Sequence, residues 1–422
     1  VRFSDFGERA KGGGILQLMD DIGAALAGGG GDMLLLGGGN PARLPAVEQA
    51  LRRAMRRLME DGDAFERTVG DYDGPRGNAA FIGALAELLR GQLGWPVGAD
   101  NIAVTNGSQS GFFTLMNLFG GKHADGARKK ILLPLCPEYI GYSELGIDGG
   151  AGEGLFRANK PRIELLGGGF FKYRVDLARL DIGGDTGALC VSRPTNPTGN
   201  VLDDFEMQTL AAAARQAGVP FIVDNAYGLP FPGIVFSPAA MHHDANTITC
   251  LSLSKLGLPG ARTGIIVAAP EVISRIAAVT ASLNLATGSF GQSLALELIR
   301  GGEILQLSAD EVMPFYRARS RQAAGWLRDG LGDLPVLLHK PEGGIFLWLW
   351  FQDFPITSAD FYRRLKAKNV LVVPGEHFFF GLREDWPHRR QCIRLSYAQD
   401  EATVQKGIEI LTAEARAVYA GP

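Results

Sequence analysis

The chain has 422 residues, of which 46% are hydrophobic and 21% charged, enough apolar matter for one large core and a smaller satellite domain. A net charge of -3 at pH 7 argues against a nucleic-acid surface, and no apolar run reaches the ~20 residues needed to cross a bilayer. Cys136, Cys190, Cys250 and Cys392 lie in or beside apolar segments without Cys-x-x-Cys spacing, so buried free thiols are expected rather than disulfides or zinc ligands.

The N-terminal residues lack the basic, apolar and small-residue order of a signal peptide, and the cytoplasm is the expected location. Glycine clusters at Gly28–Gly31, Gly37–Gly39 and Gly167–Gly169 punctuate the chain without setting a repeat. Arg52, Arg53, Arg56 and Arg57 recur at helical spacing beside apolar residues, which reads as one solvated helix face.

Ile102-Ala103-Val104-Thr105 predicts a strand, Asn106-Gly107-Ser108-Gln109-Ser110 a turn, and Gly111–Phe119 a helix. Backbone amides at such a helix start suit a phosphate dianion. Further apolar runs at Ile131–Leu133, Ala188–Val191, Phe221–Val223, Ile248–Leu253 and Gly264–Val267 alternate with helical patterns such as Asp203–Ala217. The expected fold is α/β, a mostly parallel sheet covered by helices.

Open α/β sheets place ligands at the carboxyl ends of their strands. Three such ends carry chemistry here. Arg193–Asn200 follows the strand at 188–191, and its Asn196 can donate to a ligand oxygen. Asp224 closes the strand at 221–223, with Tyr227 three residues on, and its plain alternative is a turn cap. Ser252-Leu253-Ser254-Lys255 follows the strand at 248–253 and leads to Arg262. An amine such as that of Lys255 condenses with an aldehyde and, once displaced, serves as a base, provided burial and cationic neighbours lower its pKa. Ser254 and Arg262 can meet the same phosphate oxygens as the 106–110 turn, and Tyr139 can stack on a ring.

Beyond residue 300 the pattern changes to a long helix, the run Gly344–Trp350, a helix near Ser358–Lys368, and strands at Val370–Val373 and Cys392–Tyr397. A smaller α+β domain is expected there. Arg394 interrupts an apolar strand, so its charge needs a buried or ligand-borne anion, and a bidentate clamp on a carboxylate fits. His242 and His243 are adjacent and no His-x-x-x-His pair occurs, so no metal site is expected.

Asn196-Pro197-Thr198-Gly199, Asp224-x-x-Tyr227 and Ser252-x-Ser254-Lys255-x-x-x-Pro259-Gly260-x-Arg262-x-Gly264 occur in this order. The set resembles the aspartate-aminotransferase superfamily of pyridoxal-phosphate enzymes. The runs Gly37–Pro41, Tyr72–Pro75, Pro137–Tyr142, Asp224–Gly228 and Lys340–Phe346 are similar to those of a bacterial branch that works on valine and pyruvate.

The resemblance implies the fold type I architecture of pyridoxal-phosphate-dependent transferases, with a seven-stranded sheet in the large domain. It divides the chain into an N-terminal segment over the active site (1–45), a large cofactor-binding domain (46–300) and a small C-terminal domain (301–422). It implies Lys255 as the Schiff-base lysine, Asp224 at the pyridine nitrogen, and Asn196 and Tyr227 at the ring oxygen. Ser108, Gln109, Ser254 and Arg262 would hold the cofactor's phosphate and Tyr139 would stack on the ring, with Gly107 and Ser252 also binding the cofactor. Gly39, Asn40, Asn196 and Arg394 would meet an amino acid or 2-oxo acid. Tyr72 would reach the partner's phosphate in a homodimer.

A branched aliphatic substrate needs apolar walls, for which Ile15, Leu18, Phe112 and Phe378 are candidates. The segment Asp148–Pro161 matches no motif. Alternatives on the same fold are another donor specificity, a C–S or β-lyase, and a cofactor-sensing regulator. The last would carry an added DNA-binding module, for which Val1–Asn40 is too short and glycine-rich.

Overall fold

The computed structural model describes residues 1–9, 16, 20, 23, 33–147 and 154–421. Ile15, Leu18, the Gly28–Gly31 cluster and Gly149–Gly152 lie outside the described residues. In chain order the strands are β1 (Leu34–Leu35), β2 (Ile102–Asn106), β3 (Gly121–Lys122), β4 (Arg128–Leu133), β5 (Phe156–Ala158), β6 (Arg162–Gly167), β7 (Phe170–Arg174) and β8 (Thr186–Ser192). They continue with β9 (Phe221–Asp224), β10 (Thr247–Ser252), β11 (Thr263–Val267), β12 (Val336–His339), β13 (Phe346–Phe351), β14 (Val370–Leu371), β15 (Val373–Pro374) and β16 (Cys392–Ser396).

The large sheet has the order β2-β11-β10-β9-β8-β4-β3, with β5 paired to β4. Strands β10, β9, β8, β4 and β5 are mutually parallel, and β11 is antiparallel to both of its neighbours. The expected seven strands are therefore present, with two-residue β3 added at β4. Every residue of β9 and β10 is buried, as befits strands covered on both faces. Successive side chains part to opposite faces. Leu251, Ile265 and Val267 join a core with the helices Ala79–Leu93 and Phe290–Arg300, while Cys250 and Ile266 join one with Ser108–Phe119 and Asp204–Gln216.

Local sequence sets the helix ends. Asp203 lies outside the helix that was expected to include it. Its carboxylate accepts from Glu206 N at 2.8 Å while Glu206 accepts from Asp203 N at 3.0 Å, a capping box that starts the helix at Asp204. Such a cap is worth about 1 kcal/mol.

The second sheet has the order β15-β16-β13-β12-β7-β6. The hairpin β6–β7 lies far upstream of residue 300, yet β7 pairs in parallel with β12, so this sheet draws strands from both sides of that point. The N-terminal segment is tied to the C-terminal part. Strand β1 pairs with β14, Ser396 N donates to Leu36 O at 2.7 Å, and Ala42 N donates to the Tyr316 hydroxyl at 2.7 Å. Residues 37–41 are thereby carried across to the carboxyl edge of the large sheet, where Gly39 meets Lys255.

Candidate active site

Because β2 and β10 are both antiparallel to β11, and β8 and β9 run parallel to β10, these four strands end along one edge. Asn106, Ser192, Asp224 and Ser252 are their last residues. A cavity of about 190 Å³ opens there and is lined by Ser108, Gln109, Tyr139, Asn196, Asp224, Tyr227, Ser252, Ser254, Lys255 and Arg262, together with Gly39 and Arg394. Residues spread over more than 350 positions of sequence thus share one space, as Arg394 and Gly37 show with a separation of 357.

Lys255 stands in the short turn Ser254–Leu256 that follows β10. Its Nζ donates to Gly39 O at 2.6 Å and lies 5.3 Å from the centre of the Tyr227 ring. Burial, reinforced by the charges of Arg394 and Arg262 and opposed by Asp224, pushes the amine down to about 8. A neutral amine is therefore accessible near physiological pH, which nucleophilic attack on a carbonyl requires.

Asp224 is buried at the cavity's inner wall. Tyr142 donates its hydroxyl to Oδ2 and Ala226 N donates to Oδ1 at 2.8 Å. Burial pushes the carboxyl up to about 6, against the lowering effects of those two hydrogen bonds and of Lys255. A buried carboxylate of this kind is best satisfied by a cationic N–H brought in by a ligand.

At the other end, Gly107 adopts φ +81° and precedes the helix Ser108–Phe119. A Cβ on Gly107 would meet Arg262 Nη2 at 2.3 Å, so the guanidinium lies flat against this backbone. The helix start, Ser108, Ser254 and Arg262 together frame an anion cradle. Gln109 faces the cavity but its Nε2 is bound to Gly141 O at 2.6 Å, and Ser252 Oγ accepts from Ser254 N at 3.2 Å.

Arg394 lies mid-strand in β16, opposite Trp348 and Val373. It donates from Nη1 to Asn196 Oδ1 at 2.8 Å and from Nη2 to Gly37 O at 2.7 Å, and its guanidinium lies 4.0 Å from the Phe346 ring centre. Its buried Nε has no hydrogen-bond partner among the described residues. Burial pulls the guanidinium down to about 10. A positive charge this dehydrated, with a donor to spare, suits a ligand carboxylate. Since Asn196 turns its oxygen to Arg394, its amide N–H groups remain for a ligand oxygen. Burial also raises the Tyr227 hydroxyl, keeping it a neutral donor.

Two expected residues stand apart. Asn40 is exposed and is not part of the cavity lining. Tyr72 is 85% exposed at an open depression of about 850 Å³ that also contains Arg57, Arg67 and Ser293. Of the wall candidates, Phe112 lines the cavity and Phe378 packs 5.2 Å from the Arg394 guanidinium. Among the contributors that escaped the sequence reading are Tyr142 and Gly37. Tyr142 falls in the Pro137–Tyr142 run, and its spacing of three from Tyr139 was the available signal. Gly37 acts through its carbonyl, which no side chain announces.

A family model, aminotransferase class I and II, matches residues 165–411. The chain is 46% identical over 421 residues to the valine-pyruvate aminotransferase of Escherichia coli K12, spanning 100% of this chain and 99% of that protein. The chain belongs to the class I and II aminotransferases. This aminotransferase also superposes on the crystal structure of the valine-pyruvate aminotransferase of Salmonella typhimurium LT2 with a TM-score of 0.88, at 45% identity over 97% of this chain and 100% of that one. The aspartate aminotransferase of Thermus thermophilus matches with a TM-score of 0.79 at 22% identity, over 98% and 100% of the two chains. That more distant likeness concerns the fold, which is the one expected from the motifs.

Proposed function

We propose that this aminotransferase uses pyridoxal 5'-phosphate to move the amino group of L-valine to pyruvate, giving 3-methyl-2-oxobutanoate and L-alanine. The observation that carries the cofactor is the placement of three unlike groups around one cavity. These are an amine at about 8, a buried carboxyl at about 6 and a glycine-backed arginine at a helix start. They fit an aldehyde, a protonated pyridine nitrogen and a phosphate respectively. The substrates are supported by the full-length likeness to a valine-pyruvate aminotransferase and by the apolar Phe112, Ile140 and Phe346 in the cavity wall.

When bound, pyridoxal phosphate supplies an aldehyde for amine exchange and a ring that takes up the electrons of a broken Cα–H bond. The chain does the rest. Lys255 would hold the cofactor, and its Nζ, once free, would take the proton from the substrate Cα. Asp224 would keep the ring nitrogen protonated, and the Tyr142 hydrogen bond favours the ionised form of Asp224. Asn196 and Tyr227 would meet the ring oxygen, Ser108, Gln109, Ser254 and Arg262 the phosphate, and Tyr139 the ring, with Gly107 and Ser252 also binding the cofactor. Arg394 holds the carboxylate common to amino acid and oxo acid, with Gly39 nearby, so one site serves both halves of a ping-pong exchange. Asn40 would approach substrate from the same N-terminal segment.

The same reading makes the enzyme a homodimer in which Tyr72, exposed on one protomer, reaches the partner's phosphate cradle. The four cysteines are free and buried, in keeping with a reducing cytoplasm. Incubation of cofactor-loaded protein with valine, with and without pyruvate, tests the proposal. Equal yields of alanine and 3-methyl-2-oxobutanoate that require pyruvate support it. Loss of carbon dioxide, or β-elimination from suitable donors without any oxo-acid requirement, would replace it with another chemistry.

A further inference from the structure

Glu138 lies between Pro137 and Tyr139 and is fully buried, and the mechanism above leaves it without a task. Its Oε1 accepts from Ser192 N at 2.9 Å, and its Oε2 accepts from the Ser192 hydroxyl at 2.5 Å and from Tyr139 N at 3.2 Å. Its own N donates to Phe378 O at 2.9 Å. Ser192 closes β8 in register with Asp224 on β9, and Ser192 and Tyr139 both line the cavity. The Tyr139 ring is confined on its other side, because a Cβ on Gly141 would meet its Cε1 at 2.4 Å.

We propose that Glu138 is a positioning residue that ties Tyr139 to the end of β8, so that the Tyr139 ring and the Ser192 hydroxyl keep fixed places around the ring bound in the cavity. This rests on the pyridoxal-phosphate reading and goes beyond it. A buried carboxylate that receives three donors is a strong fastening. Replacing it with an apolar group would strand all three.

The titratable groups facing Glu138 are Asp224 from β9, Cys190 from β8, and Tyr142 and Cys136 from its own segment. Burial pushes its carboxyl up to about 8, with Ser192 opposing and the charge of Asp224 adding. Of the three donors, the Ser192 hydroxyl is the one that can turn and accept from the neutral acid, so the tie persists in both states.

The test strips the holoenzyme of cofactor and titrates pyridoxal phosphate back, following quenching of protein fluorescence and the visible circular dichroism of the saturated protein. In Glu138→Gln the amide N–H₂ replaces one acceptor, so it opposes a fixed backbone N–H. The variant is expected to fold with a modestly lowered melting temperature of the cofactor-free protein, bind pyridoxal phosphate roughly 10-fold more weakly, and lose visible dichroism at saturation. Unchanged affinity and dichroism would overturn the proposal. If Glu138→Gln does not fold, Ser192→Ala, which removes one contact, is expected to lower both readouts to a smaller degree, and no change in either overturns it. Wild-type protein that takes up no pyridoxal phosphate would instead overturn the cofactor reading, and this inference with it.

Discussion

Arg394 donates to Asn196 at 2.8 Å across a separation of 198 residues, so the proposed carboxylate clamp and the proposed ring-oxygen contact are one hydrogen-bonded unit. Arg394→Ala removes the clamp and frees Asn196 together. It should weaken the apparent affinity for both valine and pyruvate by roughly 10- to 100-fold, the scale for losing a hydrogen bond to a charged group. Arg394→Lys keeps a charge without the fork and should recover only part of this. Steady-state KM values for both substrates check it, and an unchanged pair removes Arg394 from the site.

Tyr142→Phe deletes the hydroxyl that donates to Asp224. That hydrogen bond holds the carboxyl down, so its loss should raise Asp224 above about 6. The acidic limb of kcat/KM against pH should then move to higher pH, with the alkaline limb unmoved. Asp224→Asn should lower kcat by roughly 100- to 1,000-fold, the scale for one group that stabilises developing charge.

Lys255 carries a stability signature in the cofactor-free protein. The unfolded chain keeps its proton to 10.5, whereas the folded chain loses it at about 8. Between those values the unfolded state binds more protons, so this group makes stability rise as pH climbs from about 8 to 10.5. Below about 8 both states are charged and the buried ammonium is destabilising. Lys255→Met should raise the melting temperature at neutral pH and flatten the rise above it. A thermal-melt series against pH reads both, and an equal slope in the variant would show that the amine is not burdened by burial.

Gly107→Ala forces a side chain onto φ +81° and against Arg262 Nη2. Both effects push the guanidinium out of the cradle. Affinity for pyridoxal phosphate should fall by roughly 10-fold or more while the cofactor-free fold is retained, measured by equilibrium dialysis against calorimetric melting. Affinity equal to wild type would place the phosphate elsewhere.

The sequence was most legible where chemistry sits at strand ends. Asp224, Ser252 and Lys255 each follow a buried apolar run, and a parallel sheet brings such ends together whatever their separation. Arg394 stood out because a lone charge in an apolar strand needs an anion. Less visible was anything that acts through backbone or through a distant pairing. Gly37 and Gly39 contribute carbonyls to Arg394 and Lys255, and a carbonyl has no residue signature. The hairpin β6–β7 joins β12 across more than 160 residues, as Phe171 opposite His339 shows, and short alternating strands do not declare which sheet they extend. Asp203 read as helix because its pattern continues the helical period, whereas its side chain caps the helix.

Whether Lys255 is the lysine that holds the cofactor is read from chemical trapping. Protein loaded with pyridoxal phosphate is reduced with borohydride, digested and mapped by mass spectrometry. One pyridoxyl-phosphate group per chain is expected on the peptide containing Lys255, absent in Lys255→Ala along with the visible absorption band and nearly all turnover. A label on another lysine, or a Lys255→Ala variant that transaminates near the wild-type rate, would contradict it.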